Sequence, residues 1–161
     1  MIYSDRLLSN PRYLDLLARL KKAEQERIFC GHDLDHFMAV ARIGRIINCE
    51  DKLGLDPDDI YLAALLHDVG RLKEYEDGIP HDEAGVPIAA SFLEEISYPE
   101  EERATILEAV SGHRSANEQD EDGLLTKLIR RADKLSRPCF SCPARAQCNW
   151  PESQKNKSFR Y

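Results

Sequence analysis

The sequence predicts an all-α fold, a bundle of about six helices over residues 1–137, followed by an irregular, cysteine-containing tail over 138–161 that packs on the same domain. Two observations support this prediction. Apolar residues recur three and four positions apart, which is the period of a helix with one buried face. No stretch alternates apolar and polar residues for long enough to indicate a β-strand. A chain of 161 residues also suits one domain with a substantial core.

Start and stop signals mark the first predicted helices. Asn10 is a candidate cap for the first helix, and Pro11 stands at its first position. Gly54 ends the second helix, while Asp56 caps the third, which we expect to stop at Gly70. The six predicted helices lie in 11–28, 33–53, 55–70, 83–96, 99–112 and 123–136.

Composition narrows the range of functions. Hydrophobic residues make up 42% of the chain and charged residues 32%, as in a globular domain. No apolar run approaches the roughly 20 residues of a membrane span, and the N-terminus has no basic-then-apolar leader pattern. The net charge of −7 argues against nucleic acid as a partner. We therefore expect a cytoplasmic protein without a membrane partner.

Histidine and aspartate interrupt the apolar faces of several predicted helices. The apolar run 62–66 leads directly into His67 and Asp68, where a buried unpaired charge would cost several kcal/mol. His36, His113 and Asp133 share the apolar faces of three other helices. A single histidine in such a place is usually a hydrogen-bonded core residue. Imidazoles and carboxylates converging from four helices instead indicate a catalytic divalent metal: Fe, Mn, Ni, Co or Zn with open positions.

Five ordered segments resemble the HD-domain superfamily of metal-dependent phosphohydrolases. They are HDLDHFMAVARIGRII, LLHDVGR, HDEAGVPIAASFL, ILEAVSGHR and RRADKLS, within residues 30–137. The resemblance implies a first metal site formed by His36, the His67–Asp68 pair and Asp133. It also implies that His81 and His113 belong to a second site, with Asp68 bridging the two ions.

The same resemblance implies hydrolysis of a small phosphate ester or anhydride, with a nucleotide as the favoured substrate. Asp68, Arg71, Lys134, Arg114 and His32 are then the candidate catalytic residues, His32 with a phosphate or substrate role. For the three basic side chains the alternative is an ordinary solvated surface charge. Two other functions remain open: a diiron oxygenase of the same superfamily, which requires O₂, and a non-catalytic nucleotide-sensing domain.

Three cysteines cluster in the tail segment CFSCPARAQC. Cys139, Cys142 and Cys148 provide three thiolates, which in a cytoplasmic chain more often bind metal than form disulfides. Zinc or an iron–sulfur cluster takes four ligands, or three and an open position, so Cys30 or Cys49 is a candidate fourth ligand. The alternative is three free thiols in a loose tail.

Overall fold

The computed structural model describes residues 1–113 and 121–161. Within these ranges the chain forms eight α-helices and no strand, which confirms the all-α prediction. None of the described helices combines the length and the apolar character needed to cross a membrane. The helices, α1 to α8, are Ile2–Leu8, Pro11–Ala23, Leu34–Glu50, Pro57–Leu66, Arg71–Asp77, His81–Glu95, Glu100–Gly112 and Leu124–Ser136. A 3₁₀ turn follows at Arg145–Gln147.

The main differences from the prediction are two unpredicted helices and two helices that end earlier than expected. Helices α1 and α5 were not predicted, because seven residues give too few turns for a helical period to stand out. Helix α2 ends at Ala23 rather than at residue 28, and a loop containing His32 follows it. Helix α4 ends at Leu66 rather than at Gly70, so His67 and Asp68 lie in the turn that follows the helix.

Helix α4 occupies the centre of the bundle. Residues 62–66 are fully buried, and the helix contacts α1, α3, α7 and α8. An apolar surface all round a helix requires neighbours on every side. Helix α3 lies alongside it with Phe37, Val40 and Ile47 buried. The predicted caps are confirmed, since the Asn10 and Asp56 side chains each accept a hydrogen bond from the first turn of their helices.

Asp58 joins α4 to α1. Its carboxylate accepts hydrogen bonds from the backbone N–H groups of Tyr3 (3.0 Å) and Ser4 (2.8 Å), and from the Ser4 hydroxyl. Burial would raise the pKa of Asp58, but the hydrogen bonds from Ser4 and Tyr3 outweigh it and lower that pKa below its ordinary value. The ionised carboxylate therefore stabilises the docking of α1.

We expect Asp58→Ala to lower the free energy of unfolding by about 1–3 kcal/mol, the usual contribution of hydrogen bonds to a charged group. The folded-state pKa lies below the unfolded value, so this contribution is complete above about pH 4 and is lost as the pH falls through the folded pKa. Urea unfolding at pH 7 and at pH 3 measures both effects. Asp15→Ala, at an exposed position of α2, is the matched control. Equal losses in the two variants would contradict the role of Asp58.

The tail returns along α8 toward the end of the bundle where α3 begins. The Asn156 side-chain amide donates to the carbonyl oxygens of Lys134 (2.7 Å) and Arg137 (2.8 Å). Tyr161 packs against the core, and Ala144 is buried. The tail therefore lies beside the histidines of the loop after α2 and of the first turn of α3.

Candidate metal centre

Six ionisable side chains converge at one end of the bundle from the ends of five helices. Each lies in the first or last turn of a helix or directly after it, and all but His36 are buried. Helix ends can approach one another closely because the chain turns away there. The six residues are His36 of α3, His67 and Asp68 after α4, His81 of α6, His113 after α7 and Asp133 of α8.

Three of these side chains form a first trio: His36, His67 and Asp133. Their ligand atoms all lie within 4.8 Å of one another. The Asp133 Oδ1 atom is 3.4 Å from His36 Nε2 and 4.0 Å from His67 Nε2. Two imidazoles and a carboxylate facing one point are ligands that a divalent transition metal accepts.

The other three form a second trio: Asp68, His81 and His113. Their ligand atoms also lie within 4.8 Å of one another. The Asp68 Oδ1 atom is 3.4 Å from His81 Nε2 and 3.5 Å from His113 Nε2. The molecule thus holds two adjacent sets of three ligand atoms.

Asp68 stands between the two trios. Its Oδ2 atom lies 3.1 Å from His67 Nε2 and 4.0 Å from His36 Nε2, whereas its Oδ1 atom faces the second trio. Burial would raise the pKa of Asp68, but His67 and His113 outweigh it and lower that pKa well below its ordinary value. Asp68 is therefore an ionised carboxylate with one oxygen toward each trio, the arrangement of a bridging ligand.

Each histidine ring of the two trios is held in its orientation through its Nδ1 atom. Each Nδ1 atom faces an oxygen acceptor, so each Nε2 atom is left for the centre. The acceptors are Ser136 Oγ for His36 (3.4 Å), Ala64 O for His67 (2.7 Å), Glu74 Oε1 for His81 (3.2 Å) and Val110 O for His113 (2.7 Å).

The Nε2 atoms of His36, His67 and His81 are buried and have no hydrogen-bond partner among the described residues. Buried polar atoms without a partner are rare and call for an explanation. Burial lowers the pKa of His36 to about 4, so its imidazole is neutral at pH 7 and offers a lone pair. These ligands fit one or two divalent metal ions.

Gly70 allows Asp68 to approach His81. A Cβ atom on Gly70 would lie 2.0 Å from the carbonyl oxygen of His81 and 2.6 Å from the backbone nitrogen of Gly85. The start of α6 therefore packs directly on the turn after α4. The sequence indicated Gly70 as a helix stop, whereas its structural role is this close contact between two backbones.

His32 lies at the edge of the first trio. Its Nε2 atom is 3.8 Å from Asp68 Oδ2, and its Nδ1 atom is 2.5 Å from Glu24 Oε1. Burial would raise the pKa of Glu24, but hydrogen bonds from His32 outweigh it and lower that pKa to about 2. Sequence reasoning missed Glu24, because it assigned this residue to the last turns of a helix that in fact ends at Ala23.

A cavity of about 510 Å³ opens above both trios, and we call it the metal cavity. Its floor contains His36, Asp68, His81, His113 and Asp133. Five basic and two aromatic side chains line it as well: Arg27, Arg71, Lys134, Arg137, Lys155, Phe29 and Trp150. Positive charge surrounds the ligands although the whole chain carries a net charge of −7.

The structure places two of the predicted phosphate contacts on the metal cavity. Arg71 donates from Nε to Asp68 Oδ1 (3.0 Å) and from Nη1 to Glu74 (2.8 Å), so it also holds the central carboxylate. Lys134 lines the cavity with an exposed side chain. Arg114 lies outside the described residues. Arg137 was missed because it lies one residue beyond the predicted last helix, although its position four residues after Asp133 was an available signal.

The cysteines lie beside the metal cavity. Cys30, Cys139 and Cys148 line it, and Cys142 lies on an adjoining groove that Cys30 also lines. Among residues 1–113 and 121–161, only the two trios bring three potential ligand atoms within 4.8 Å of one another. Neither trio contains a cysteine sulfur. Metal binding by the cysteines therefore stays a prediction.

Comparison with known proteins gives matches over most of the chain. The family model described as HD domain matches residues 33–137. An uncharacterized protein of Clostridium beijerinckii is 40% identical over 155 residues, 96% of each chain. Ribonuclease Y 1 of Pediococcus pentosaceus is 27% identical over 128 residues, which are 79% of this chain and 22% of that protein. The chain thus spans about a fifth of the length of that ribonuclease.

A solved structure has the same arrangement of helices. The crystal structure of a predicted HD superfamily hydrolase from an uncultured Thermotogales bacterium superposes with a TM-score of 0.60. The match covers 88% of this chain and 79% of the other, at 24% sequence identity. This likeness concerns the fold.

Proposed function

This chain belongs to the HD domain family, and we propose that it is a metal-dependent phosphohydrolase that cleaves a phosphate ester or anhydride, with a nucleotide as the favoured substrate. The observation that carries the proposal is the Asp68 carboxylate between two trios of ligands, beneath a cavity lined with basic side chains. Histidines and carboxylates supply the metal ligands, and the basic side chains supply contacts for an anionic substrate.

The residues divide into two candidate metal sites. His36, His67 and Asp133 would hold one ion, His81 and His113 would hold the other, and Asp68 would contact both. Iron, manganese, nickel, cobalt and zinc suit these ligands. A divalent ion bound there would lower the pKa of water toward neutrality and would polarise a phosphoryl oxygen.

Arg137 is well placed to contact a phosphate group. Its Nη2 atom donates to Asp133 Oδ2 (2.6 Å), while its buried Nη1 atom has no hydrogen-bond partner among the described residues. A guanidinium that binds one carboxylate and keeps a further donor can bind a phosphate oxygen as well. Lys134 adds a positive charge on the same wall of the metal cavity.

His32 faces the centre in a fixed orientation. Because its Nδ1 atom pairs with Glu24, its Nε2 atom points toward Asp68. We assign His32 a role in binding the substrate at the edge of the first trio. Glu24 holds the ring in place and is a positioning residue.

A nucleotide is favoured over a smaller phosphate ester because of two aromatic rings on the metal cavity. Phe29 and Trp150 are 39% and 37% exposed, so part of each ring is available to a ligand. Nucleobases stack readily on such rings. The cavity volume of about 510 Å³ lies in the usual range for small-molecule sites.

We expect Trp150→Ala to raise the KM for a nucleotide substrate by about five- to 150-fold, because base stacking on an aromatic ring contributes about 1–3 kcal/mol. The KM for a small phosphate ester without a base should change much less. Steady-state kinetics with both substrates measures the difference. Trp150→Phe should restore most of the affinity, and Phe140→Ala, an exposed tail aromatic on another groove, is the control. Equal changes for both substrates would contradict base stacking.

The assay that tests the proposal is phosphate release from a panel of nucleotides and dinucleotides, with purified protein of known metal content and without oxygen. A phosphohydrolase should turn over under these conditions. Turnover that begins only when O₂ is admitted would identify the oxygenase instead. Nucleotide binding without turnover, at full metal content, would identify the sensing domain.

A further inference from the structure

Cys30 lies next to the tail cysteines although more than a hundred residues separate them in the chain. It lines the metal cavity with Cys139 and Cys148, and the adjoining groove with Cys142. All four side chains are partly buried, and none forms a disulfide. Cys30 therefore shares a cavity or a groove with each of the three tail cysteines.

Cys49 does not share this location. It is exposed near the C-terminal end of α3, whereas His36 lies in the first turn of that helix. Thirteen residues of α-helix span about 20 Å, at 1.5 Å per residue. The structure thus separates the two candidate fourth ligands: Cys30 is beside the cluster and Cys49 is at the far end of α3.

The electrostatic environment of the Cys30 thiol also indicates that the tail cysteines lie close to it. Burial raises the pKa of the Cys30 thiol, the Arg137 guanidinium lowers it, and the sulfurs of Cys139 and Cys142 raise it further. Sulfurs influence one another's ionisation in this way only when they are close. Arg137 supplies a positive charge that would favour thiolates at this place.

The tail segment is held by turns rather than by a core. The backbone N–H of Cys142 donates to Cys139 O (3.4 Å), and that of Cys148 donates to Arg145 O (3.3 Å). Beyond these turns, the Arg145 guanidinium donates to Cys139 O (3.0 Å). A segment with so little apolar burial gains stability when its side chains share a bound metal.

We propose that Cys30, Cys139, Cys142 and Cys148 are the four ligands of an iron–sulfur cluster at the wall of the metal cavity. Such a cluster would connect the loop between α2 and α3 to the tail. Because Cys30 lies two residues before His32, and Cys148 two residues before Trp150, the cluster would hold both substrate-facing side chains in place. This site does not depend on the proposed hydrolysis.

The spacing of the sulfurs favours a cluster over a single zinc ion. Four thiolates around one zinc lie about 3.8 Å apart, given a Zn–S bond of about 2.3 Å and tetrahedral geometry. In the described part of the chain, no three cysteine sulfurs lie within 4.8 Å of one another. An iron–sulfur core is larger than a single ion, so its cysteine ligands stand further apart.

The test is anaerobic purification of the full chain, followed by analysis of iron, zinc and acid-labile sulfide and by visible absorption. The two trios bind ions without sulfide, so sulfide reports on the cysteine site alone. We expect brown protein with sulfide in the parent and in Cys49→Ser, and loss of both colour and sulfide in Cys30→Ser and Cys142→Ser. Cys142→Ser should also melt lower by about 5 °C or more and be cleaved faster after residue 137.

Three results would overturn the proposal. Parent protein without sulfide means that the cluster does not exist, and this measurement does not depend on whether any variant folds. One zinc ion per chain that is lost in Cys30→Ser means a zinc site instead. Loss of sulfide in Cys49→Ser with retention in Cys30→Ser means that the fourth ligand is wrong. Phosphate release by parent protein that contains no sulfide would leave the proposed function intact.

Discussion

Asp68→Ala should abolish metal binding and lower turnover by about a thousandfold or more, corresponding to several kcal/mol of transition-state stabilisation. Asp68 is the residue whose two oxygens face different trios, and no other described carboxylate reaches both. Its loss removes a ligand from each site at once. The turn that carries it should persist, because Gly70 and His81 still pack together.

Asp68→Asn sharpens this test because it keeps the shape of the side chain and removes its charge. Asp35→Asn is the matched control: Asp35 adjoins His36 on α3 but is exposed and lies outside the metal cavity. Metal analysis and initial rates with excess metal measure the two effects. Full metal content with normal turnover in the Asp68 variants would disprove the assignment of the site.

His81→Ala and His113→Ala should each remove one of two metal ions and leave the other. Both histidines face Asp68 Oδ1, whereas His36, His67 and Asp133 form the first trio without them. Turnover should fall by more than about 100-fold in both variants, because even the loss of a group that only orients a metal ligand costs about 10- to 100-fold in metal affinity or activity.

Metal content per chain, measured in the parent and in both variants, checks this prediction. His36→Ala is the complementary variant, since it should remove the ion of the first trio and keep that of the second. Melting curves show whether each variant is folded. A parent that binds a single ion, with no change in His81→Ala or His113→Ala, would rule out two metal sites.

The candidate ligands were predictable because their signals are local. His36, the His67–Asp68 pair, His113 and Asp133 each interrupt an apolar face, and an amphipathic helix carries that pattern within a few turns. The structure brings all of them to one end of the bundle, together with His81. The expected end of the third helix at Gly70 was wrong: the helix ends at Leu66, and Gly70 lies in the following turn, packed on the backbone of His81.

Glu24 and Trp150 could not be identified in the same way. Glu24 and His32 pair across a loop after a helix that ends earlier than its pattern indicates. Trp150 lines the metal cavity with its ring against Arg137, with 3.9 Å between the guanidinium carbon and the ring centroid. Neither contact produces a periodic pattern of residues in the sequence.

By itself the sequence determined the all-α class and the types and order of the candidate metal ligands, since helical periodicity and short motifs depend on residues close together in the chain. Only the tertiary structure decided which oxygen of Asp68 faces which trio, and that Cys30 rather than Cys49 adjoins the tail cysteines. Those outcomes depend on contacts between segments far apart in the chain, such as the 3.4 Å approach of His36 to Ser136, one hundred residues later. The packing of one helix end on another determines such contacts, and this packing cannot be inferred from the local amino-acid composition.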